Sequence, residues 1–140
     1  MGKINMGRVI LGGLVAGLII NIGEFLLNGV ILAKDLEEVM KSLNKPAVGG
    51  SQIAVFVAMG FVLGILLVWI YAAIRPRYGA GPKTAVCAAL IIWVIAYVYN
   101  GVGQSQMGFF PNRLLAIGIG WGLVELVIAA LAGAWLYKEN

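Results

Sequence analysis

The sequence predicts an all-α membrane protein: four transmembrane helices in a small bundle, with a short amphipathic helix in the first outer loop. Three observations carry this. Hydrophobic side chains make up 61% of the 140 residues and charged ones only 11%, far from the balance of a soluble domain. Four apolar runs approach the roughly 20 residues that a helix needs to cross the hydrocarbon core. None of them alternates polar and apolar positions as a membrane strand would. A soluble fold of this size buries too small a share of its surface to hide so much apolar area. Lipid is therefore the expected solvent, and residues 1–140 read as a single transmembrane domain.

The first span covers residues 9–33 and holds one charge, Glu24. Lys3 and Arg8 precede it as in a signal peptide, but the apolar stretch is long and no small-x-small cleavage site follows a short core, so a retained helix is expected. Beyond it, Leu36, Val39, Met40 and Leu43 recur at helical spacing with charges between them. Asp35 with Glu38 three residues on resembles a helix start, which predicts a short amphipathic helix over 35–43 on the outer membrane surface.

The second span, 53–74, contains no charge and runs into Arg75-Pro-Arg-Tyr-Gly-Ala-Gly-Pro82, a turn-rich connection. The third, 84–100, is the shortest, and the glycine- and glutamine-rich segment 101–111 after it is expected to be a flexible cap. Pro111 and Asn112 mark the start of the fourth span, 114–137, which carries the single charge Glu125.

Lysine and arginine set the expected orientation. Lys3, Arg8, Arg75, Arg77, Lys83 and Lys138 fall on one side; Lys34, Lys41, Lys45 and Arg113 fall on the other. The positive-inside tendency then places both termini in the cytoplasm, with the chain in a bacterial-type inner (plasma) membrane. Trp69, Tyr71, Trp135 and Tyr137 are expected to form an aromatic belt at that interface.

Several chemistries are excluded at once. Histidine is absent and Cys87 is the one cysteine, so an intrachain disulfide, bis-histidine haem, histidine-bound zinc and a Ser-His-Asp triad have no residues to use. Cys87 lies in an apolar run and is expected to be a buried packing residue. Met59 and Met107 are too scattered for a copper site, the acidic outer loop lacks calcium-loop spacing, and no glycine sits in a phosphate-binding setting. Catalytic residues, metal and cofactor are therefore not indicated. The net charge of +4 comes from basic residues at loop ends rather than on one stripe. That makes the lipid bilayer, not nucleic acid, the expected partner.

Two carboxylates inside spans are the most informative feature. A charge near the bilayer centre costs at least ~2.5–3.5 kcal/mol, so such residues usually face the bundle interior. Gly13, Gly17, Asn21, Glu24 and Asn28 share one helical stripe of the first span; Gly118, Trp121, Gly122, Glu125, Ala129 and Ala132 share one of the fourth. At 1.5 Å per residue, Glu24 lies about 15 Å and Glu125 about 18 Å below the outer end, which is nearly one level. No Lys, Arg or His within a span can pair with either, so desolvation and mutual repulsion favour protonation of at least one at neutral pH. With Asn21 and Asn28 they are either polar glue between helices or a proton- or cation-responsive site.

The pairs Gly13/Gly17, Gly60/Gly64 and Gly118/Gly122 have the Gly-x-x-x-Gly spacing of tight helix contacts. Four short helices bury only some such faces in one protomer, which predicts a homo-oligomer or a larger membrane complex. Trp93, Tyr97 and Asn100 share a face of the third span. With Trp121 these aromatics are candidates to line a pocket for an organic cation, although plain aromatic packing accounts for them too.

Four short helices with a glutamate in the first, Glu24, resemble the small multidrug-resistance transporters in architecture. The Asn-Ile-Gly-Glu-Phe-Leu-Leu-Asn setting, the second carboxylate Glu125 and the outer loop all depart from that family's pattern. The expected function is a non-enzymatic membrane protein acting through helix–helix assembly, as a homo-oligomer or accessory subunit of a membrane complex; the alternative is a small proton-coupled transporter of a cation or apolar solute using Glu24 and Glu125.

Overall fold

The computed structural model describes residues 3–139. Its elements are α1 (Met6–Leu26), α2 (Ala33–Ser42), α3 (Gly50–Tyr78), α4 (Pro82–Trp93), α5 (Asn100–Met107) and α6 (Asn112–Leu136). A π-helical turn, Leu27–Ile31, extends α1, and a second, Val94–Tyr99, joins α4 to α5 without a break. Among the described residues there is no strand. Among the described residues, four continuous helices are long and apolar enough to cross a membrane: Met6–Ile31, Gly50–Tyr78, Pro82–Met107 and Asn112–Leu136.

Local chemistry explains most helix ends. Asn5 caps α1 by accepting the Arg8 N–H at 3.2 Å, as an N-cap amide oxygen does. Gln52 reaches back to the Gly49 N–H at the start of α3. Pro82 opens α4, where a missing N–H costs nothing. Two ends differ from the sequence expectation. Pro76 does not end the second span; the helix continues to Tyr78 and breaks at Gly79 and Gly81, whose φ angles of 92° and 132° suit glycine. Nor is 101–111 a flexible cap, because Asn100–Met107 keeps its helical hydrogen bonds as far as Gly108, a left-handed stop with φ 75°.

Each apolar helix packs against its neighbours in sequence, α1 with α3, α3 with α4 and α4 with α6, and α6 closes back on α1. A diagonal contact joins α3 and α6. The core between them is built from Val9, Ile20, Leu67, Val68, Leu126 and a set of alanines. Glycines set the closest approach. A Cβ on Gly64 would stand 2.5 Å from the Gly13 carbonyl oxygen and 2.6 Å from the Gly17 Cα, and one on Gly13 would stand 2.5 Å from the Ile65 Cα. Thus α1 and α3 meet backbone to backbone, as small-residue pairs permit. Gly12 and Gly133 do the same between α1 and α6.

A smaller cluster at the other end from the termini gathers Leu27, Leu32, Val39 and Leu114, with Leu36, Leu43 and Trp121 against it. It anchors α2 to the ends of α1 and α6. Arg113 adds an exposed ion pair to Asp35 at 2.9 Å.

The end that carries the termini is tied by polar contacts. The Asn5 N–H donates to the Tyr137 hydroxyl at 3.1 Å, which donates to Glu139 at 2.8 Å, and Arg75 pairs with Glu139 at 3.1 Å. The Arg75 guanidinium also sits 5.5 Å above the Tyr137 ring. Tyr71 meets Tyr137 edge to face and its hydroxyl accepts the Gly81 N–H. This corrects the expected belt: Tyr71 and Tyr137 are buried and bonded, while Trp69 and Trp135 alone face outward. Cys87 also differs, being exposed rather than buried. It shares an outward face of α4 with Leu90, Ile91 and Val94, and an apolar face turned to lipid gives the same sequence signal as one turned to a core.

Candidate functional site

Glu24, near the end of α1, and Glu125, in the middle of α6, come together because α1 and α6 are neighbours and the two residues lie at one level. Their carboxyl groups stand within interaction distance of one another. Glu125 is only 5% exposed; Glu24 is half-buried. One oxygen of each, Glu24 Oε2 and Glu125 Oε1, is enclosed and has no hydrogen-bond partner. An unpartnered buried carboxylate oxygen costs about 1–3 kcal/mol or more, and two in contact repel if both groups are ionised. A single proton shared between them removes both penalties.

Three groups complete the surroundings. The Tyr97 hydroxyl donates to Glu125 Oε2 at 2.8 Å. The Trp121 indole N–H donates to the Gly23 carbonyl at 3.0 Å, and Trp121 borders the Glu125 carboxyl as well. Gly23 itself makes the room: a Cβ there would run into the Glu125 carboxyl group, with its carboxyl carbon at 3.0 Å. Gly122 does likewise for the Tyr97 ring, whose Cγ would lie 2.9 Å from an added Cβ. The two π-helical turns flank this place, one directly after α1 and the other containing Tyr97. Such turns interrupt regular hydrogen bonding and are frequent at functional positions.

The remaining expected residues separate from this pair. Asn21 turns to α3, where its Nδ2 donates to the Val57 carbonyl at 3.2 Å and its side chain lies over Gly60. It is helix–helix glue. Asn28 is exposed on the first π turn, where the wider turn breaks the stripe that regular α-helical spacing predicts. Trp93 donates its N–H to the Ile119 carbonyl at 2.7 Å, so it fastens α4 to α6. Trp93, Tyr97 and Trp121 are each held by their own hydrogen bond, to Ile119, Glu125 and Gly23 respectively. Asn100 is exposed. Of the glycines, Gly13, Gly17, Gly60 and Gly64 lie in the α1–α3 contact and Gly122 holds Tyr97, while Gly118 meets no atom within 4 Å.

Sequence reasoning missed the partnership of Tyr97 with Glu125 and the role of Gly23. The second was open to view, since glycine directly precedes Glu24. The first depends on the rotation introduced by the π turn. Among the described residues no group of His, Cys, Asp and Glu is arranged to hold a metal ion. In comparisons with protein-family models, curated proteins and solved structures, nothing matches this chain.

Proposed function

We propose that the chain is a small proton-coupled transporter of a cation or apolar solute, in which Glu24 and Glu125 take up and release a proton inside a four-helix bundle. The supporting observation is that the Glu24 and Glu125 carboxyl groups interact while one oxygen of each, Glu24 Oε2 and Glu125 Oε1, is enclosed without a hydrogen-bond partner. Pure structural glue would be expected to satisfy its buried oxygens, because an unsatisfied group forfeits the stability that glue supplies. A proton shared between the two carboxyl groups would satisfy them. Its gain or loss changes the charge enclosed between α1 and α6, and the adjoining π turns are the natural places for the helices to yield.

The bundle sits in a bacterial-type inner membrane with cytoplasmic termini, an orientation supported by six Lys and Arg residues on the terminal side against four opposite. The amphipathic helix α2 lies along the outer surface, its Leu36, Val39 and Leu43 turned to the bundle ends while Lys34, Glu37, Glu38 and Lys41 stay exposed. The protein is not an enzyme in this scheme.

Assembly into a homo-oligomer or a larger membrane complex is the second reading. Gly118 favours it, since this α6 glycine has open space beside it. The other small-residue pairs support it less, being occupied within the protomer.

Reconstitution in vesicles tests the proposal. A pH-sensitive dye inside reports proton entry under an imposed membrane potential, with and without tetraphenylphosphonium as an apolar cation. Glu125→Gln and Glu24→Gln preserve size while removing ionisation, and should abolish pH-dependent flux with helix content and particle size unchanged. Flux equal to that of the unaltered protein in both variants would overturn it. Association that vanishes in Gly118→Leu, without any flux in the unaltered protein, would favour the second reading.

A further inference from the structure

At the terminal end, a cavity of about 140 Å³ opens between α3, α4 and α6. Its walls are Tyr71, Pro82, Ala85, Leu131, Ala134 and Trp135, almost wholly apolar. An apolar void of this size is several times the ≈ 30 Å³ share of one water, yet offers water few partners. An apolar group packed against its lining gains dispersion contacts. A hydrocarbon chain is such a group. Trp135, 81% exposed, stands at the mouth, where an indole suits the boundary between acyl chain and headgroup.

Charge selects the headgroup. Lys83 follows the lining residue Pro82, Lys138 comes three residues after Trp135, just past the end of α6, and Arg77 lies in the last turn of α3 on the same side. All three are exposed, and among the described residues none is in an ion pair, in contrast to Arg75, which Glu139 neutralises. Unpaired cations around an apolar interhelical cavity are complementary to a phospholipid of net negative charge. They gain nothing from a zwitterionic one. At the other end Asp35 and Glu37 pair with Arg113 and Lys41, and the unpaired Lys34 and Lys45 share their loop with the unpaired acid Glu38, whereas Arg77, Lys83 and Lys138 have no unpaired acid beside them in sequence.

We propose that this cavity is a binding site for an anionic phospholipid, one acyl chain lying along Leu131 and Trp135 and the phosphate held by Lys83 and Lys138. It is independent of the carboxyl pair.

Tryptophan quenching by brominated lipids in reconstituted vesicles tests this. Comparison of the unaltered protein with Trp135→Phe isolates the Trp135 signal from Trp69, Trp93 and Trp121. Brominated phosphatidylglycerol should quench that signal at a lower mole fraction than brominated phosphatidylcholine. Lys83→Gln and Lys138→Gln should each weaken the preference by about fivefold, the equivalent of roughly 1 kcal/mol per surface cation. Raised salt should narrow it in the unaltered protein, a measurement that needs no variant. Equal quenching by the two lipids, or a preference that survives the double lysine replacement, would overturn the proposal.

Discussion

Replacing Gly64 by alanine is the sharpest test of how α1 and α3 are held. The added methyl would lie 2.5 Å from the Gly13 carbonyl oxygen and 2.6 Å from the Gly17 Cα. Both are backbone atoms, so neither can swing aside, and the helices must separate by about 1 Å to regain ordinary contact. Overpacking of this kind costs typically about 1–3 kcal/mol. The same separation stretches the 3.2 Å bond from Asn21 to the Val57 carbonyl beyond useful length, and an interhelical bond in a membrane is worth about 0.6 kcal/mol. Gly118→Ala is the control, because that position meets no atom within 4 Å. Both replacements gain the same helix propensity, so their difference isolates the contact. It should be about 2–3 kcal/mol, a factor of about 30–150 in the folding equilibrium. Equilibrium unfolding in mixed detergent–lipid micelles, followed by circular dichroism, measures it. Equal stability of the two variants would refute the backbone-to-backbone account of α1 and α3.

Two further outcomes are expected. Tyr97→Phe removes the donor to Glu125 Oε2 and should lower stability in the same assay by about 1–3 kcal/mol, whereas replacing the exposed Tyr99 by phenylalanine should change little. A nitroxide attached to Cys87, which shares the outward apolar face of α4, should relax more strongly with dissolved oxygen than with a water-soluble nickel chelate; the opposite order would place that face away from lipid.

Much of the fold was legible because lipid imposes a simple rule, that backbone polar groups be satisfied within an uninterrupted apolar helix. The four spans and the shared level of Glu24 and Glu125 follow from that rule and from a rise of 1.5 Å per residue. Helix ends were harder. Apolarity marks where the chain enters lipid, but Asn100–Met107 stays helical in spite of its polar side chains. Facing was hardest where the helical period changes. Asn28 and Tyr97 both lie on π turns, and a stripe drawn at 3.6 residues per turn drifts off its true face there. The buried Tyr71–Tyr137 contact was hidden for another reason: an aromatic ring near a membrane boundary has the same sequence signature whether it anchors in headgroups or packs beneath a neighbour.

The closure of α6 onto α1 also has a consequence for biosynthesis. Glu24 leaves the ribosome about a hundred residues before Glu125, a delay of roughly 5–20 s at ordinary elongation rates. During that interval the first helix must wait with its acid unmatched, since the last helix supplies the matching group. Packing of the bundle therefore cannot finish helix by helix. The nascent chain stays incomplete, and open to quality control, until its final segment enters the bilayer and shuts the ring.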